Sequence, residues 1–379
     1  MKTGFQLSWT EWVLMADSVE VVAERLLQVI DEGRRTATYK LALLVALMDA
    51  CAAQADADGH APLEMHTRVL AHHVLRIYLP QARAYLAGEG DPLELRQITT
   101  KRSPFFREVL RLHFLAAQQR CRTIDEIARR IPKDYERCLD EVERTFARYP
   151  LRLLQVVGRE PRPFLYDVDW GESVSLASLH REGGGSVRFR PGAGDQLLRL
   201  APLLRPLIEL HWTRMVAKIN GINLEHERLA EHLFGADRVP FPKVLREGLA
   251  DLQNGACFYC GNGLADRPQV DHFIPWSRWP NNAIENLVLA DGCNGLKSDY
   301  LPAFRHVDGW AHRFVAQAAD LASVAGKALW ESDPHRTLGL TRSCFAHVPV
   351  GTPLWVQADE FAEDDPTLIS ARLADLPSR

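Results

Sequence analysis

The chain has 379 residues, 46% of them hydrophobic and 25% charged, and a formal net charge of −4. That length exceeds what one hydrophobic core usually organises, so two or three domains are expected, of ordinary globular composition. The small acidic balance excludes a surface coated for unspecific nucleic-acid binding.

The longest purely aliphatic stretch, Leu41 to Met48, is far too short to span a bilayer, and "MKTGFQLSWTEW" lacks an apolar secretory segment. A soluble, cytoplasmic protein with no membrane partner is expected. Seven cysteines form an odd set, and only Cys257 and Cys260 stand as a C-x-x-C pair, which favours metal binding over disulfides.

From about residue 8 to 150 the pattern is helical. "VEVVAERLLQVIDEG" closes on Gly33, and "TYKLALLVALMDACAAQ" is too densely apolar for an exposed helix. Residues 1–122 are therefore expected to be a helical N-terminal domain. Over 123–170 the character changes: "TIDEIARRI" opens as a capping box, "PKDYERCLDEVERTFARYP" gives a second helix, and "LRLLQVVGREPRPFLYDVDW" reads as two strands around a turn. That order fits a winged helix; the alternative is a helical domain with a supporting hairpin, in which Arg129, Arg130, Lys133 and Arg137 are simply solvated. Residues 101–165 carry 15 Lys/Arg against 9 Asp/Glu, so this is the expected docking surface if DNA is a partner.

Residues 171–250 are expected to hold a second hairpin turned by Gly183, Gly184 and Gly185, then linking helices that Pro202 and Pro206 must bend or interrupt. Residues 251–302 form a distinct module. Residues 303–379 read as C-terminal helices followed by a loose acidic tail around "ADEFAEDDP". The expected class is mainly α with small β elements, that is α+β.

Within the module, "VDHFIPWSRWPNNAIENLVLADGCNGLKSD" (270–299) concentrates the residues that carry chemistry. Asp271 offers a hard anionic oxygen suited to Mg²⁺, and on a strand its neighbour His272 faces the other way. A neutral imidazole can take a proton from an attacking water near pH 7. Asn294 stands where a helix begins, its amide oxygen a second ligand for the same cation. Lys297, three residues on, shares that helical face and is expected to meet a phosphate as a point charge. Trp276 and Trp279 either stack on nucleotides or pack the loop between the strands.

"DH" at 271 and 272, Asn286, and "CN--K-D" at 293–299 resemble the HNH endonuclease (ββα-metal) motif in its DH…N…N form, as in the HNH domain of RNA-guided CRISPR effectors and in many bacterial HNH proteins. The resemblance covers roughly residues 252–302 and looks like a bacterial group that carries an HNH module after a longer helical region. It implies His272 as general base, Asp271 and Asn294 as ligands of a catalytic Mg²⁺ or Mn²⁺, and Asn286 as a brace of the loop between the strands. The implied reaction is hydrolysis of DNA phosphodiester bonds, leaving 5′-phosphate and 3′-hydroxyl ends.

Many HNH modules pair "CFYCG" (257–261) with a second C-x-x-C ending just before the Asn. Here one residue is missing and Asp291 stands where the first cysteine would be. Zinc accepts carboxylate oxygen, so a structural Zn²⁺ on Cys257, Cys260, Cys293 and Asp291 is the expectation, against three cysteines that are merely close.

The reading that follows is a metal-dependent endonuclease, the effector of a bacterial antiviral defence or similar complex with other subunits. The alternative is a catalytically inactive DNA-binding or scaffolding protein with a structural zinc module.

Overall fold

The computed structural model describes residues 17–31, 37–86, 91–99, 103–157, 160–223, 228–235, 240–363 and 366–377. It is 56% helical with small antiparallel sheets, the α+β class expected. The chain divides into two compact units, Met1–Cys51 with Pro62–Ala236, and Ala52–Ala61 with Asp237–Arg379. None of the described helices is long and apolar enough to cross a membrane.

The first unit begins with α1 (Val19–Asp31) and α2 (Tyr39–Ala53). From Leu41 to Ala53 every residue of α2 is buried, which is why that segment is apolar all round. Strand β1 (Glu64–His66) leads into α3 (Thr67–Gln81), and α4 (Pro104–Gln118) starts with Ser103 as its cap and Pro104 in the first turn. Then come α5 (Ile124–Arg130), α6 (Pro132–Arg148) and a short α7 (Pro150–Leu153). Tyr78, Phe105 and Phe146, from α3, α4 and α6, meet edge to face with centroids 5.0 Å and 5.7 Å apart.

The helix, helix and hairpin expected over 123–170 are present, but not as a free-standing winged helix. Helix α6 buries Tyr135, Cys138, Leu139, Val142 and Phe146, so one whole face is committed to the core. The hairpin of β2 (Val156–Val157) and β3 (Glu160–Pro161) is two residues deep. The next strand, β4 (Tyr166–Val168), pairs with β5 (Ser186–Phe189), which pairs in turn with β1. Partners on both sides of the segment draw it into the larger unit.

The hairpin expected over 171–192 is also corrected. Ser175 and Ser178 cap one another reciprocally and start the short helix α8 (Leu176–Leu179) where the first strand of that hairpin is expected. Helix α9 (Ala193–Asn220) runs unbroken through Pro202 and Pro206. Pro206 is exposed and Pro202 half-buried. Helix α10 (Arg228–Phe234) closes the unit.

In the second unit, α11 (Lys243–Leu252) precedes β6 (Gln269–His272), a 3₁₀ turn (Ile284–Asn286), β7 (Leu287–Ala290) and α12 (Cys293–Lys297). The order is ββα. All four residues of β7 are buried, because apolar side chains from α11 and α14 (Ala318–Ala328), including Leu245, Leu249, Leu321 and Ala325, pack against Leu287 and Leu289. On α13 (Phe304–Ala316), Trp310 stacks on Phe273 at 5.3 Å and donates to the Glu285 carbonyl. Arg313, fully buried, caps the Ile284 and Leu287 carbonyls. After α15 (Pro334–Ala346) the acidic stretch is not a loose tail. It turns a hairpin, β8 (Leu354–Gln357) with β9 (Glu360–Ala362), and α16 (Pro366–Ala374) follows. Buried Leu354, Trp355, Ile369 and Leu373 hold these elements down, which a charge count alone hides.

Candidate active site

Strands β6 and β7 pair antiparallel, with Asp271 opposite Val288 and His272 opposite Leu287. Strand alternation sends the two side chains to different surroundings: Asp271 is 7% exposed, His272 is half-buried.

Asp271 is held by two groups. The Tyr259 hydroxyl donates to Oδ2 at 2.5 Å, and the Lys297 ammonium lies 3.1 Å from the same oxygen. Lys297 is fully buried and donates at 2.8 Å to the His272 carbonyl. Burial pushes the Lys297 pKa down while the Asp271 charge works in the opposite direction. Burial, then the Asp271 charge, push the Tyr259 hydroxyl well above its ordinary value. The expectation that Lys297 meets a phosphate is therefore corrected. Five-residue α12 ends at Ser298, and Lys297 reaches back beneath β6, where it ties the backbone of His272 to the carboxylate of Asp271.

His272 is oriented from the loop. Its Nε2 lies 2.8 Å from Asn282 Oδ1, and its ring lies 5.4 Å from Trp276 and 6.1 Å from Phe241. Asn282 is itself held at its carbonyl by Trp330 Nε1, 2.7 Å away. Trp279 is buried in the core, whereas Trp276 flanks the imidazole. Asn286, fully buried, accepts from Ile274 N at 2.8 Å and donates to the carbonyls of Ile274 and Asn281 at 3.2 Å and 3.0 Å. It spans the loop between the strands. Asn294, half-buried in the first turn of α12, donates through Nδ2 to Gln269 Oε1 at 2.8 Å, and its amide oxygen is the other end of the side chain.

Tyr259 and Asn282 are the two participants that motif reading did not single out. Tyr259 sits between two cysteines, where it reads as knuckle filler, and nothing in "PNN" distinguishes the asparagine that meets His272 from Asn281, which faces Arg336 and Thr337.

The Sγ atoms of Cys257, Cys260 and Cys293 lie within 4.8 Å of one another. Cys257 is buried, Cys293 half-buried and Cys260 exposed. The knuckle turn is closed by Gly261 N donating to the Cys257 carbonyl, with Gly261 at φ +73°. Burial pushes the Cys257 thiol up, but backbone N–H groups of Cys260, Asp291 and Tyr259 outweigh it and bring the pKa below its usual value. Cys293 is pushed up by burial and by its neighbouring sulfurs. Thiols that oppose one another's ionisation at this spacing suit a thiophilic cation, which binds the deprotonated form. The carboxylate of Asp291 falls outside the group, which corrects its expected role as fourth ligand. With only Gly292 between Asp291 and Cys293, it is the Asp291 backbone that turns towards Cys257.

Comparison with known proteins adds two family matches. Residues 257–303 match the HNH endonuclease family, a span that includes Tyr259, Asp271, His272, Asn282, Asn286, Asn294, Lys297 and the three cysteines, but not Phe241 or Trp330. Residues 20–233, more than half of the chain, match a Domain of unknown function (DUF8808). No curated protein and no solved structure matches the chain. The chain thus belongs to the family of the domain of unknown function DUF8808, and its C-terminal region carries an HNH endonuclease domain.

Proposed function

We propose that this protein is a metal-dependent endonuclease that nicks or cleaves DNA, and that it serves as the nuclease effector of a bacterial defence or similar multi-protein system. The observation that carries the nuclease reading is the ββα arrangement itself: Asp271 and His272 adjacent on β6, and Asn294 opening α12 beside Gln269 of the same strand. The effector reading rests on charge. Residues 255–300 hold Arg267, Arg278 and Lys297 against Asp266, Asp271, Glu285, Asp291 and Asp299, so the module needs help to hold DNA.

The donors fit Mg²⁺ or Mn²⁺ in type, an anionic and an amide oxygen, and both side-chain contacts of Asp271 fall on Oδ2. A bound divalent ion supplies polarisation of the scissile phosphate and neutralises charge on the departing 3′ oxygen. The protein's own part is proton transfer. Because the Asn282 amide oxygen can only accept, His272 Nε2 carries the hydrogen and the lone pair falls on Nδ1, which takes the proton of the attacking water. Lys297 and Tyr259 fix Asp271 from below. Cys257, Cys260 and Cys293 would hold a structural Zn²⁺, which would fasten the knuckle.

The Lys297–Asp271 ion pair favours a second reading, in which the buried ammonium stands in for a metal and the module only scaffolds DNA binding. Relaxation of supercoiled plasmid in Mg²⁺, with and without the products of neighbouring genes, separates the two. Nicking by the natural chain and its loss in His272→Ala support the nuclease; a natural chain inert under every condition supports the scaffold.

A further inference from the structure

Within the cationic stretch 101–165, two groups stand apart among the described residues once ion pairs are assigned. Arg111 pairs with Glu108 and Asp134, Arg137 with Glu108, Arg144 with Glu141 and Arg152 with Glu172. These guanidiniums are neutralised by neighbours and add little attraction for a polyanion. Arg120, Arg122, Arg129, Arg130 and Lys133 are different. All five are exposed, and among the described residues none pairs with a carboxylate.

Their placement follows from local folding. Helix α5 buries Ile124 and Ile127, so Arg129 and Arg130 in its last turn point to solvent. Arg120, at φ +54°, ends α4, Arg122 precedes the Thr123 cap, and Lys133 opens α6 just beyond Ile131. The seven residues of α5 span about 10 Å at 1.5 Å per residue, which keeps the cations at its two ends close together. The carboxylates within that stretch are Asp125 and Glu126, and Glu126 is turned to the Arg122 backbone N–H at 2.7 Å.

We propose that this edge, Arg120, Arg122, Arg129, Arg130 and Lys133, binds the phosphate backbone of duplex DNA for the nuclease. It rests on the reading of the C-terminal module as DNA-directed, and it supplies the attraction that the acidic module lacks. The contacts are charge contacts to phosphate, which bring affinity and strong salt dependence without reading sequence.

The test uses the full chain carrying His272→Ala without added Mg²⁺ or Mn²⁺, so that binding is measured without cleavage, on a fluorescent 20-base-pair duplex at several salt concentrations. Replacing Arg129, Arg130 and Lys133 together by Ala is expected to flatten the slope of log affinity against log salt by about 2 to 3, since each phosphate contact contributes roughly 0.9. Replacing Arg199, Arg214 and Lys218 by Ala, equal in charge and exposed on α9, is expected to leave the slope within about 1 of the parent. Thermal melting of both variants checks that each is folded. Equal slopes for the two triples overturn the proposal, as does tighter binding of an RNA duplex than of the DNA. A nuclease that cleaves normally with the first triple in place would refute the edge while leaving the proposed reaction standing.

Discussion

Each unit contains a buried carboxylate held by a cation and a hydroxyl, and the two are put to different use. In the first unit Glu143, with no side-chain exposure, accepts from Thr67 at 2.6 Å on Oε1 and from Arg68 at 2.9 Å and His180 at 2.8 Å on Oε2. In the second, Asp271 accepts from Tyr259 and pairs with Lys297, both on Oδ2. Glu143 is engaged at both oxygens by groups that join α3, α6 and the loop after α8. Asp271 is engaged at Oδ2, on the strand where His272 follows it and Gln269 meets Asn294. Burial and ion pairing alone therefore do not mark chemistry.

That contrast can be broken most forcefully at Asp271. Asp271→Ala should abolish detectable cleavage and also cost about 3–5 kcal/mol, because it strands the Lys297 ammonium in the core. Glu143→Ala should leave cleavage unchanged while lowering stability by about 1–3 kcal/mol. Plasmid nicking and chemical denaturation of the two variants side by side check both halves. Equal loss of cleavage in the two would erase the distinction.

His272→Ala should lower the cleavage rate by about 10² to 10⁴ without the stability loss of Asp271→Ala. Asn282→Leu should have a smaller effect, about tenfold, by releasing the imidazole from its tautomer. ¹⁵N spectra of histidine-labelled protein read the change directly: Nε2 of His272 should carry the hydrogen in the parent and lose that preference in the variant.

The smallest effect concerns acid. Burial opposes ionisation of Glu143, but Thr67, His180 and Arg68 outweigh it and hold the carboxyl below its usual range. A depressed folded pKa stabilises the fold above the unfolded value and loses that contribution as pH falls through the folded one. Melting temperature should accordingly fall below about pH 4.5 in the parent, and less steeply in Glu143→Gln.

The ββα module was legible because its residue types are chemically singular: a carboxylate, an imidazole and two amides at fixed intervals have few other uses. The class was legible because α2 is densely apolar over the length of a helix. What stayed hidden depends on partners distant in sequence. Lys297 reads as a phosphate contact until the His272 carbonyl and Asp271, 25 and 26 residues away in sequence, appear beside it in the fold. The loop 171–192 reads as a hairpin because the bond between Ser175 and Ser178 that starts α8 competes with strand pairing only locally. The acidic end reads as a tail because Trp355 and Ile369 are outnumbered by the charges around them.

The most direct measurement is Mn²⁺ binding by calorimetry to the parent, to Asn294→Ala and to Glu143→Gln. Asn294 contributes one exposed side-chain bond to the fold, so its loss should spare stability. Binding by the parent, a loss of at least about tenfold in Asn294→Ala and no change in Glu143→Gln are predicted. Identical Mn²⁺ affinity in all three, or none in the parent, would contradict a cation held between Asp271 and Asn294.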